Sequence, residues 1–417
     1  MDSGSELNVA VLGLGYIGLP TAAVIARTGA KVLGIDVHQH VVDTINAGKV
    51  HIEEVDLDGL VSGVIARGTL RASTQIEESD VFLIAVPTPF GENHAPNIGY
   101  VLQAATSIAT VLKAGDIVIL ESTSPVGTTE KVAELLNRLR PDLKIPGHCT
   151  GIADVAIAYC PERVLPGRIL VELIDNDRVV GGVTPRCARK ALQFYRRFVR
   201  GACVTTSARA AEMTKLTENA FRDVNIAFAN ELSIVADGMG IDVWEVIRLA
   251  NRHPRVNILS PGPGVGGHCI AVDPWFLVAA DRENTPLIRT AREVNDGKPH
   301  FVAGRIAEAA SAHAEPVIAC LGLAFKPDID DLRESPAVEI VHMLAQQKIG
   351  RLLVVEPHVE QLPPELASLP NISLVSAQEA LAQAQVVAML VNHRAFYGIT
   401  KAQLGDKRVI DTRGVWQ

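Results

Sequence analysis

Short apolar runs recur through the first half of the chain, and each ends at a polar, glycine-rich or proline-rich turn. Helix-like stretches lie between these runs, the first of them over residues 19–28. Strands that alternate with helices predict a parallel sheet covered by helices on both faces. We place the end of this first region at residue 203. The runs that we interpret as its strands cover residues 8–12, 31–35, 81–86 and 116–120.

The pattern changes over residues 207–237, which contain neither proline nor glycine. This stretch predicts a single helix of about 30 residues, longer than a globular domain usually contains. Such a helix is suited to link two domains and to offer a surface on which two copies of the chain pair. We therefore assign residues 204–300 to a central helical region and expect a homodimer.

Strand-like runs return in the last third of the chain and predict a second, smaller α/β domain over residues 301–417. The predicted fold class is therefore α/β, with two doubly wound parallel-sheet domains joined by a long central helix. The runs that support the second domain cover residues 317–322, 351–356, 386–391 and 408–411.

The composition narrows the class of protein. The 417 residues are 48% hydrophobic and 21% charged, as is typical of a soluble globular protein. A net charge of −8 without a basic block argues against a nucleic-acid partner. No apolar run reaches the roughly 18 residues of a membrane span, and the acidic amino terminus does not resemble a signal peptide. The six cysteines form no CxxC pair and no metal-ligand spacing, so we expect a reducing cytoplasm and no metal site.

The turn after the first predicted strand has the spacing of a dinucleotide fingerprint. A strand precedes its three glycines, a helix follows them, and Asp36 ends the second strand, which together are the context of a Rossmann site. The glycines admit the pyrophosphate, and the acid binds the ribose 2′-hydroxyl. Because a carboxylate would repel a 2′-phosphate, we expect NAD rather than NADP; the alternative is a chance glycine turn. The predicted contacts are Gly13, Gly15, Tyr16, Ile17, Gly18 and Asp36.

A second glycine-dense segment, residues 261–274, carries Cys269 and, four residues later, Asp273. Glycines allow a backbone to approach a ligand closely. We therefore interpret Cys269 as a nucleophilic thiol, although a buried and inert cysteine is the commoner case. His268 is either a base or a packing residue. With the dinucleotide fingerprint, this segment indicates a hydride-transfer enzyme that forms a covalent thiol adduct.

Polar residues follow several predicted strands, at the edge where ligands of open α/β sheets bind. Thr88 and Thr123 are placed to meet the cofactor or the substrate, although threonine and proline also simply end strands. Glu162 could act as a general base. The alternative for Glu162, which this segment by itself favours, is a surface carboxylate paired with Arg163.

Lys215 and Asn219 lie four residues apart and therefore share one face of the long helix. A lysine beside an amide can stabilise an oxyanion, and Lys215 could also supply the positive field that a thiolate needs. A solvated helix face is the alternative. Cations recur at strand ends and loop edges of the second half, where they favour an anionic ligand such as a phosphate over isolated surface charges. These cations are Arg255, Lys326, Arg333 and Arg413.

These segments, in this order, resemble the UDP-glucose/GDP-mannose dehydrogenase family over nearly the whole chain. The motifs that carry the resemblance are GLGYIG, VPTP, STSPVG, CPE, EMTKLTEN, GGHC, FKP and DDLRESP. GPGVGGHCIAVDPWF and CPERVLPG look most like the branch that oxidises UDP-N-acetyl-D-mannosamine to its uronic acid for bacterial surface polysaccharides. The resemblance implies an NAD domain, a central dimerisation helix, a domain that binds the UDP-sugar, and two successive NAD-dependent oxidations at C6.

The resemblance also implies a role for each candidate residue. Cys269 would attack the aldehyde, Lys215 and Asn219 would stabilise the oxyanion, and Asp273 and Thr123 would hold a water. Glu162 would be the base that hydrolyses the thioester. Thr88, Thr123 and Arg333 would contact the cofactor. The residues implied in substrate binding are Glu162, Arg163, Lys215, Asn219, Arg255, Gly266, Lys326 and Arg413, with Arg255 reaching the substrate from the partner subunit.

One position departs from the family pattern. Relatives that act on UDP-glucose carry a second glutamate four residues after the one that matches Glu162, and Pro166 stands there in this chain. We interpret the change as information about the sugar. Oxidation of UDP-N-acetylglucosamine, UDP-glucose or GDP-mannose by the same chemistry remains an alternative, as does a 3-hydroxyacid dehydrogenase without a thiol step. A non-catalytic NAD-sensing protein is the alternative of another class.

Overall fold

The computed structural model describes residues 7–91, 94–165, 167–267 and 269–416. The chain forms two compact units, one ending at Thr217 and the other beginning at Glu218. Among the described residues, no helix combines the length and the apolar character that crossing a membrane requires.

The first unit contains an eight-stranded sheet in the order β3-β2-β1-β4-β5-β6-β7-β8. Its strands are β1 (Asn8–Leu12), β2 (Lys31–Ile35), β3 (Leu70–Ser73), β4 (Val81–Ile84), β5 (Ile117–Leu120), β6 (Ala156–Tyr159), β7 (Arg178–Gly182) and β8 (Cys203–Ser207). Its helices are α1 (Gly18–Arg27), α2 (Gln39–Asn46), α3 (Leu57–Ala66), α4 (Gly99–Ala109), α5 (Thr128–Leu139), α6 (Ile169–Asp175) and α7 (Pro185–Tyr195).

The central strands are apolar because both faces of the sheet are covered. Every residue of β4, β5 and β6 is buried, as is usual for parallel strands with a helix layer on each side. Strands β1 to β6 are mutually parallel, which confirms the predicted sheet. Strands β7 and β8 are additional to the predicted ones, and they run antiparallel to the other six.

A 32-residue helix, α8 (Ala208–Met239), runs without interruption from the first unit into the second. This is the long helix predicted from the absence of proline and glycine, and it confirms the predicted fold class.

The second unit contains a five-stranded parallel sheet in the order β11-β10-β9-β12-β13. Its strands are β9 (Val317–Leu321), β10 (Arg351–Val355), β11 (Ile372–Leu374), β12 (Val386–Met389) and β13 (Arg408–Asp411). Its helices after α8 are α9 (Val243–Ala250), α10 (Asp273–Ala280), α11 (Pro286–Ala310), α12 (Pro336–Gln346), α13 (Pro364–Ala367), α14 (Ala377–Gln383) and α15 (Lys401–Leu404), with a 3₁₀ turn at Arg394–Phe396.

Glu212 of α8 caps the start of α5 from a distance in sequence. Its carboxylate accepts the backbone N–H of Gly127 at 2.5 Å, and the N–H and hydroxyl of Thr129 at 2.8 and 2.7 Å. The side chain is completely buried. Burial raises the pKa of Glu212, and the hydrogen bonds from Thr129 and Gly127 partly offset that effect. One carboxylate therefore joins the loop after β5 to the first turns of α8.

Replacing Glu212 by alanine should lower the free energy of unfolding by about 2–4 kcal/mol, because it leaves three buried donors without their acceptor. Urea unfolding followed by circular dichroism measures the change. Glu134→Ala, which removes an exposed carboxylate from α5 itself, is the matched control and should change the stability by less than about 0.5 kcal/mol. Equal stability of the two variants would contradict the capping role.

Candidate active site

The turn between β1 and α1 is built on close backbone contacts. Gly13 has a φ of +92°, and its N–H donates to the carbonyl of Ile35 at 2.8 Å. A Cβ atom on Gly18 would lie 1.7 Å from the carbonyl oxygen of Gly13, so only glycine fits there. A Cβ atom on Gly15 would meet nothing within 4 Å, because this residue faces open space. The first and third glycines are therefore required by the fold, and the second leaves room for a ligand.

Asp36 lies at the end of β2, beside the same turn. Its Oδ2 accepts the N–H of Leu14 at 3.1 Å, and its Oδ1 accepts the N–H of His38 at 3.0 Å. Burial alone would raise the pKa of Asp36, but the backbone hydrogen bonds from His38 and Leu14 outweigh it and hold the pKa below its usual value. An ionised carboxylate in this position suits a ribose hydroxyl and repels a 2′-phosphate.

Among the described residues no side chain caps the start of α1. The positive end of the helix dipole therefore carries no side-chain cap, and it favours an anion at this turn. With the open space at Gly15 and the ionised Asp36, this arrangement fits the pyrophosphate and one ribose of a dinucleotide.

The loops after β4 and β5 are hydrogen-bonded to each other at the carboxyl edge of the sheet. The hydroxyl of Thr88 donates to the carbonyl of Thr123 at 2.6 Å. The hydroxyl of Ser122 donates to the carbonyl of Val86 at 2.7 Å. The structure thus brings together the two threonines that the sequence analysis selected, and both side chains remain half-buried at the edge of the sheet.

The alternative reading of Glu162 as a surface carboxylate is wrong. Glu162 is only 8% exposed, and its Oε2 lies 3.0 Å from Nη2 of the equally buried Arg178. Its Oε1 accepts the backbone N–H of Arg163 at 2.7 Å, while the Arg163 guanidinium donates to the carbonyl of Asp177 at 3.1 Å. Because β7 runs back alongside β6, a residue 16 positions later supplies the buried cation.

In the second unit, a short chain of hydrogen bonds connects α8 with the cysteine segment. Nδ2 of Asn219 donates to Oδ2 of the buried Asp273 at 2.5 Å. The N–H of Asp273 in turn donates to the carbonyl of Cys269 at 2.9 Å. Cys269 itself is exposed and lies one turn before α10, where a helix N-terminus favours negative charge. Lys215, one helical turn before Asn219, is buried.

The glycines of the cysteine segment pack against protein groups of the second unit. A Cβ atom on Gly266 would lie 2.4 Å from the carbonyl oxygen of Glu334, and one on Gly267 would lie 2.8 Å from the ring of Phe325. The glycine pattern predicts the close approach of a ligand, whereas in the structure the close neighbours of these two glycines are the turns that precede α12. The N–H of Gly262 donates to Oδ1 of the buried Asn230 at 2.8 Å, which fixes the start of the segment.

The predicted cations of the second half have different environments. Arg413 packs its guanidinium against Gly262, and burial lowers its pKa to about 10. Arg333 forms a bidentate ion pair with Asp331, at 2.8 and 2.6 Å. Lys326 is half-buried and Arg255 is exposed. Arg413 thus lies against the glycine segment. His268 and Pro166 lie outside those residues.

The sequence matches three domains of one family in chain order. Residues 7–199 match the NAD binding domain of the UDP-glucose/GDP-mannose dehydrogenase family. Residues 209–297 match its central domain, and residues 319–417 match its UDP binding domain.

The chain belongs to the UDP-glucose/GDP-mannose dehydrogenase family.

Similar proteins span the whole chain. NDP-N-acetyl-D-galactosaminuronic acid dehydrogenase of Ralstonia nicotianae is 58% identical over 100% of this chain and 98% of its own length. UDP-N-acetyl-D-mannosamine dehydrogenase of Escherichia coli is 57% identical over 99% of this chain and 100% of its own length. Among solved structures, the UDP-D-ManNAc dehydrogenase of Pyrococcus horikoshii superimposes with a TM-score of 0.88 at 38% identity, covering 99% of this chain and 96% of that one. These matches confirm the family resemblance and NAD as the cofactor.

Sequence reasoning missed two kinds of residue in this dehydrogenase. Arg178 belongs to no motif, and only the antiparallel return of β7 places it beside Glu162. Asn230 lies within α8, and nothing in the sequence distinguishes it from the other polar residues of that helix. The signal that could have found them is their polarity at positions where the surrounding pattern predicts burial.

One further cluster has the composition of a metal site. Asp328, His358 and His393 offer ligand atoms that all lie within 4.8 Å of one another. Nδ1 of His393 accepts the N–H of Asp328 at 2.9 Å, and its Nε2–H donates to the carboxylate of Glu356 at 3.0 Å. Both ring nitrogens are thus engaged, and hydrogen bonding within the family's UDP binding domain accounts for the cluster.

Proposed function

We propose that this protein oxidises the C6 hydroxyl of UDP-N-acetyl-D-mannosamine to the carboxylate, as part of bacterial surface polysaccharide synthesis in the cytoplasm. The observation that carries the chemistry is the exposed Cys269 before α10, followed by the Asp273–Asn219 hydrogen bond. The substrate rests on the full-length relatives that bear this name, at 56–58% identity.

In this proposal NAD, when bound, accepts one hydride in each of two oxidations. The thiolate of Cys269 adds to the aldehyde that the first oxidation forms, and the second oxidation converts this thiohemiacetal into a thioester. Lys215 and Asn219 stabilise the oxyanion, and Asp273 and Thr123 hold the attacking water. Glu162 takes a proton from that water as the C–S bond breaks, which returns the thiolate and releases the acid.

The remaining binding residues of the proposal follow from the family motifs. Gly13, Gly15, Tyr16, Ile17, Gly18, Asp36, Thr88, Thr123 and Arg333 contact NAD. Glu162, Arg163, Lys215, Asn219, Arg255, Gly266, Lys326 and Arg413 contact the UDP-sugar. The proposed domains cover residues 1–203 for NAD, 204–300 for dimerisation and 301–417 for the UDP-sugar.

Counting the NADH formed per nucleotide sugar tests the function. Purified protein is mixed with excess NAD and limiting UDP-N-acetylmannosamine, and the products are identified by mass. Two NADH and one uronic acid per sugar are expected. One NADH would favour a simple alcohol dehydrogenase, and none with any sugar would favour an NAD sensor. UDP-N-acetylglucosamine, UDP-glucose and GDP-mannose complete the panel.

A second substrate has a specific observation in its favour. The Ralstonia relative, at 58% identity, is named for N-acetyl-D-galactosaminuronic acid. UDP-N-acetylgalactosamine therefore belongs in the same panel. A higher kcat/KM for this sugar than for UDP-N-acetylmannosamine would replace the proposed substrate and leave the proposed chemistry unchanged.

We also propose that two copies pair through α8. Four apolar side chains of this helix, spaced seven, seven and four residues apart, share one face and expose between 47% and 69% of their surfaces. An apolar stripe of this kind indicates a surface that another protein covers. The stripe consists of Phe221, Phe228, Val235 and Met239.

Phe228→Asp should convert a dimer into a monomer, because a carboxylate in the centre of the stripe would lose its hydration on pairing. Light scattering coupled to size-exclusion chromatography gives the mass directly. The control is Tyr397→Asp, which should leave the dimer intact. Tyr397 lies outside α8, in the second unit, and its side chain is 58% exposed. Loss of pairing in the control alone would place the interface elsewhere.

A further inference from the structure

A buried group of ionisable side chains lies behind Glu162 in the first unit. Its members come from the ends of β5 and β6, the start of β7 and the end of α7, and none is more than 8% exposed. Burying so many ionisable groups costs stability unless they are paired and hydrogen-bonded. The group consists of Glu121, Cys160, Glu162, Arg178 and Tyr195.

Arg178 is held in place by three separate contacts. Its Nη2 lies 3.0 Å from Oε2 of Glu162 and donates to the carbonyl of Leu173, also at 3.0 Å. The guanidinium carbon lies over the ring of Tyr195, 5.0 Å from its centroid. A planar guanidinium that is stacked on one side and bonded at one edge has little freedom to turn. The direction of its charge toward Glu162 is therefore fixed.

Glu121 in turn holds Tyr195. The Tyr195 hydroxyl donates to Oε1 of Glu121 at 2.6 Å, and the backbone N–H of Glu121 donates to the carbonyl of Ile84 at 2.9 Å. The end of β5 is thereby connected to Glu162 through a continuous series of contacts: Glu121 to Tyr195, Tyr195 to Arg178, and Arg178 to Glu162.

The two carboxylates of the group, Glu121 and Glu162, differ in how they interact with Arg178. Burial raises the pKa of Glu121 to about 7, although the nearby Arg178 opposes this change. Burial alone would lower the pKa of Arg178, but the charge of Glu162 and the smaller effects of Cys160, Tyr195 and Glu121 together outweigh burial and raise it. Arg178 therefore remains a cation, and its ion pair is with Glu162, while Glu121 carries a proton for part of the time near neutral pH.

We propose that Arg178 is a positioning residue for Glu162, with Tyr195 and Glu121 fixing the guanidinium from its other side. The inference rests on the proposed role of Glu162 as the base in thioester hydrolysis. That step needs an ionised carboxylate with one oxygen directed at water. The Arg178 guanidinium lies against the enclosed Oε2 of Glu162, while Oε1 accepts the Arg163 N–H and keeps a second lone pair for the water. Without Arg178 the buried carboxylate would lose its ion-pair partner and turn away from the water, and only hydrolysis would slow.

The test measures the two halves of the reaction separately. Full-length protein is mixed with NAD and UDP-N-acetylmannosamine, and samples are quenched in acid at set times. Intact-protein mass spectrometry then detects the acyl adduct on Cys269. NADH is followed in parallel. Arg178→Gln should give a normal NADH burst, a steady rate reduced about 100-fold, and an accumulated adduct. Glu162→Gln is the benchmark and should show the same signature.

Two further variants keep the result interpretable. Tyr195→Phe removes only the hydroxyl that reaches Glu121, so it should fold and raise the adduct fraction with a steady rate roughly 3- to 10-fold lower. Arg200→Gln removes an exposed arginine that pairs with Asp175 at 2.6 Å and should behave like the parent protein. If Arg178→Gln fails to fold, Arg178→Lys and Tyr195→Phe decide the outcome.

The possible failures are distinguishable. If the parent protein and Glu162→Gln form no adduct and two NADH do not appear, the proposed function itself is wrong. If Glu162→Gln accumulates the adduct while folded Arg178 variants slow the burst and the steady rate equally, Arg178 is merely structural and the inference is overturned. An unchanged adduct fraction in Tyr195→Phe would remove Tyr195 and Glu121 from the positioning role.

Discussion

Replacing Cys269 by serine should abolish formation of the uronic acid, with a loss of at least about a thousand-fold in the two-NADH turnover. A serine hydroxyl without an activating base is a poor nucleophile, and Cys269 is the exposed thiol one turn before α10. The first oxidation needs no thiol, so a slow release of aldehyde with a single NADH is the residual activity expected. Product masses and the NADH count measure both.

Cys149→Ser is the matched control for that variant. Cys149 is half-buried and also lies in a loop, but nothing assigns it a part in the chemistry. The control should keep two NADH per sugar at the parent rate. Full acid formation by the Cys269 variant would contradict the covalent route, whatever the behaviour of the control.

Gly18→Ala should lower the free energy of unfolding of the unliganded protein by more than about 3 kcal/mol. The added methyl group would lie 1.7 Å from the carbonyl oxygen of Gly13, a backbone atom that a rotamer change cannot move. The turn would have to open, and NAD binding would be lost with it. Thermal unfolding and fluorescence titration with NAD measure the two effects.

Gly15→Ala separates the demands of the fold from those of the ligand. Its methyl group would meet nothing within 4 Å, so the unliganded protein should keep its stability to within about 0.5 kcal/mol. Its affinity for NAD should nevertheless fall roughly ten-fold or more, since the pyrophosphate needs that space. If NAD binds equally well to this variant, the pyrophosphate does not lie over Gly15.

Much of the fold could be predicted because its strands are buried on both faces. The continuous apolar residues of β4 and β5 produce a strong signal, and the absence of proline and glycine marks α8. Strand direction is not encoded in periodicity, so β7 and β8 gave no sign that they run opposite to the rest. Proline usually ends a helix, but α11 continues through Pro299 to Ala310. Packing of its apolar face outweighs the hydrogen bond that this proline removes.

Only the residues of the site that belong to motifs with a fixed spacing could be predicted from the sequence. The fingerprint and Asp36 have fixed spacings, and the structure places them around one turn. Arg178 and Glu121 act through partners 16 and 74 residues away in sequence, Glu162 and Tyr195. Such pairings depend on which strands and helices become neighbours. Motifs and periodicity report local features only and therefore do not reveal such pairings.

The close packing of the cysteine segment has a consequence for protein engineering. A Cβ atom on Gly264, Gly266 or Gly267 would lie within 3.0 Å of Pro336, Glu334 or Phe325, respectively, so a library that varies these glycines would mostly yield misfolded protein. Val265, between them, is only half-buried, so a change of its side chain disturbs less packing. Attempts to alter the choice of sugar should therefore randomise that position and leave its glycine neighbours unchanged.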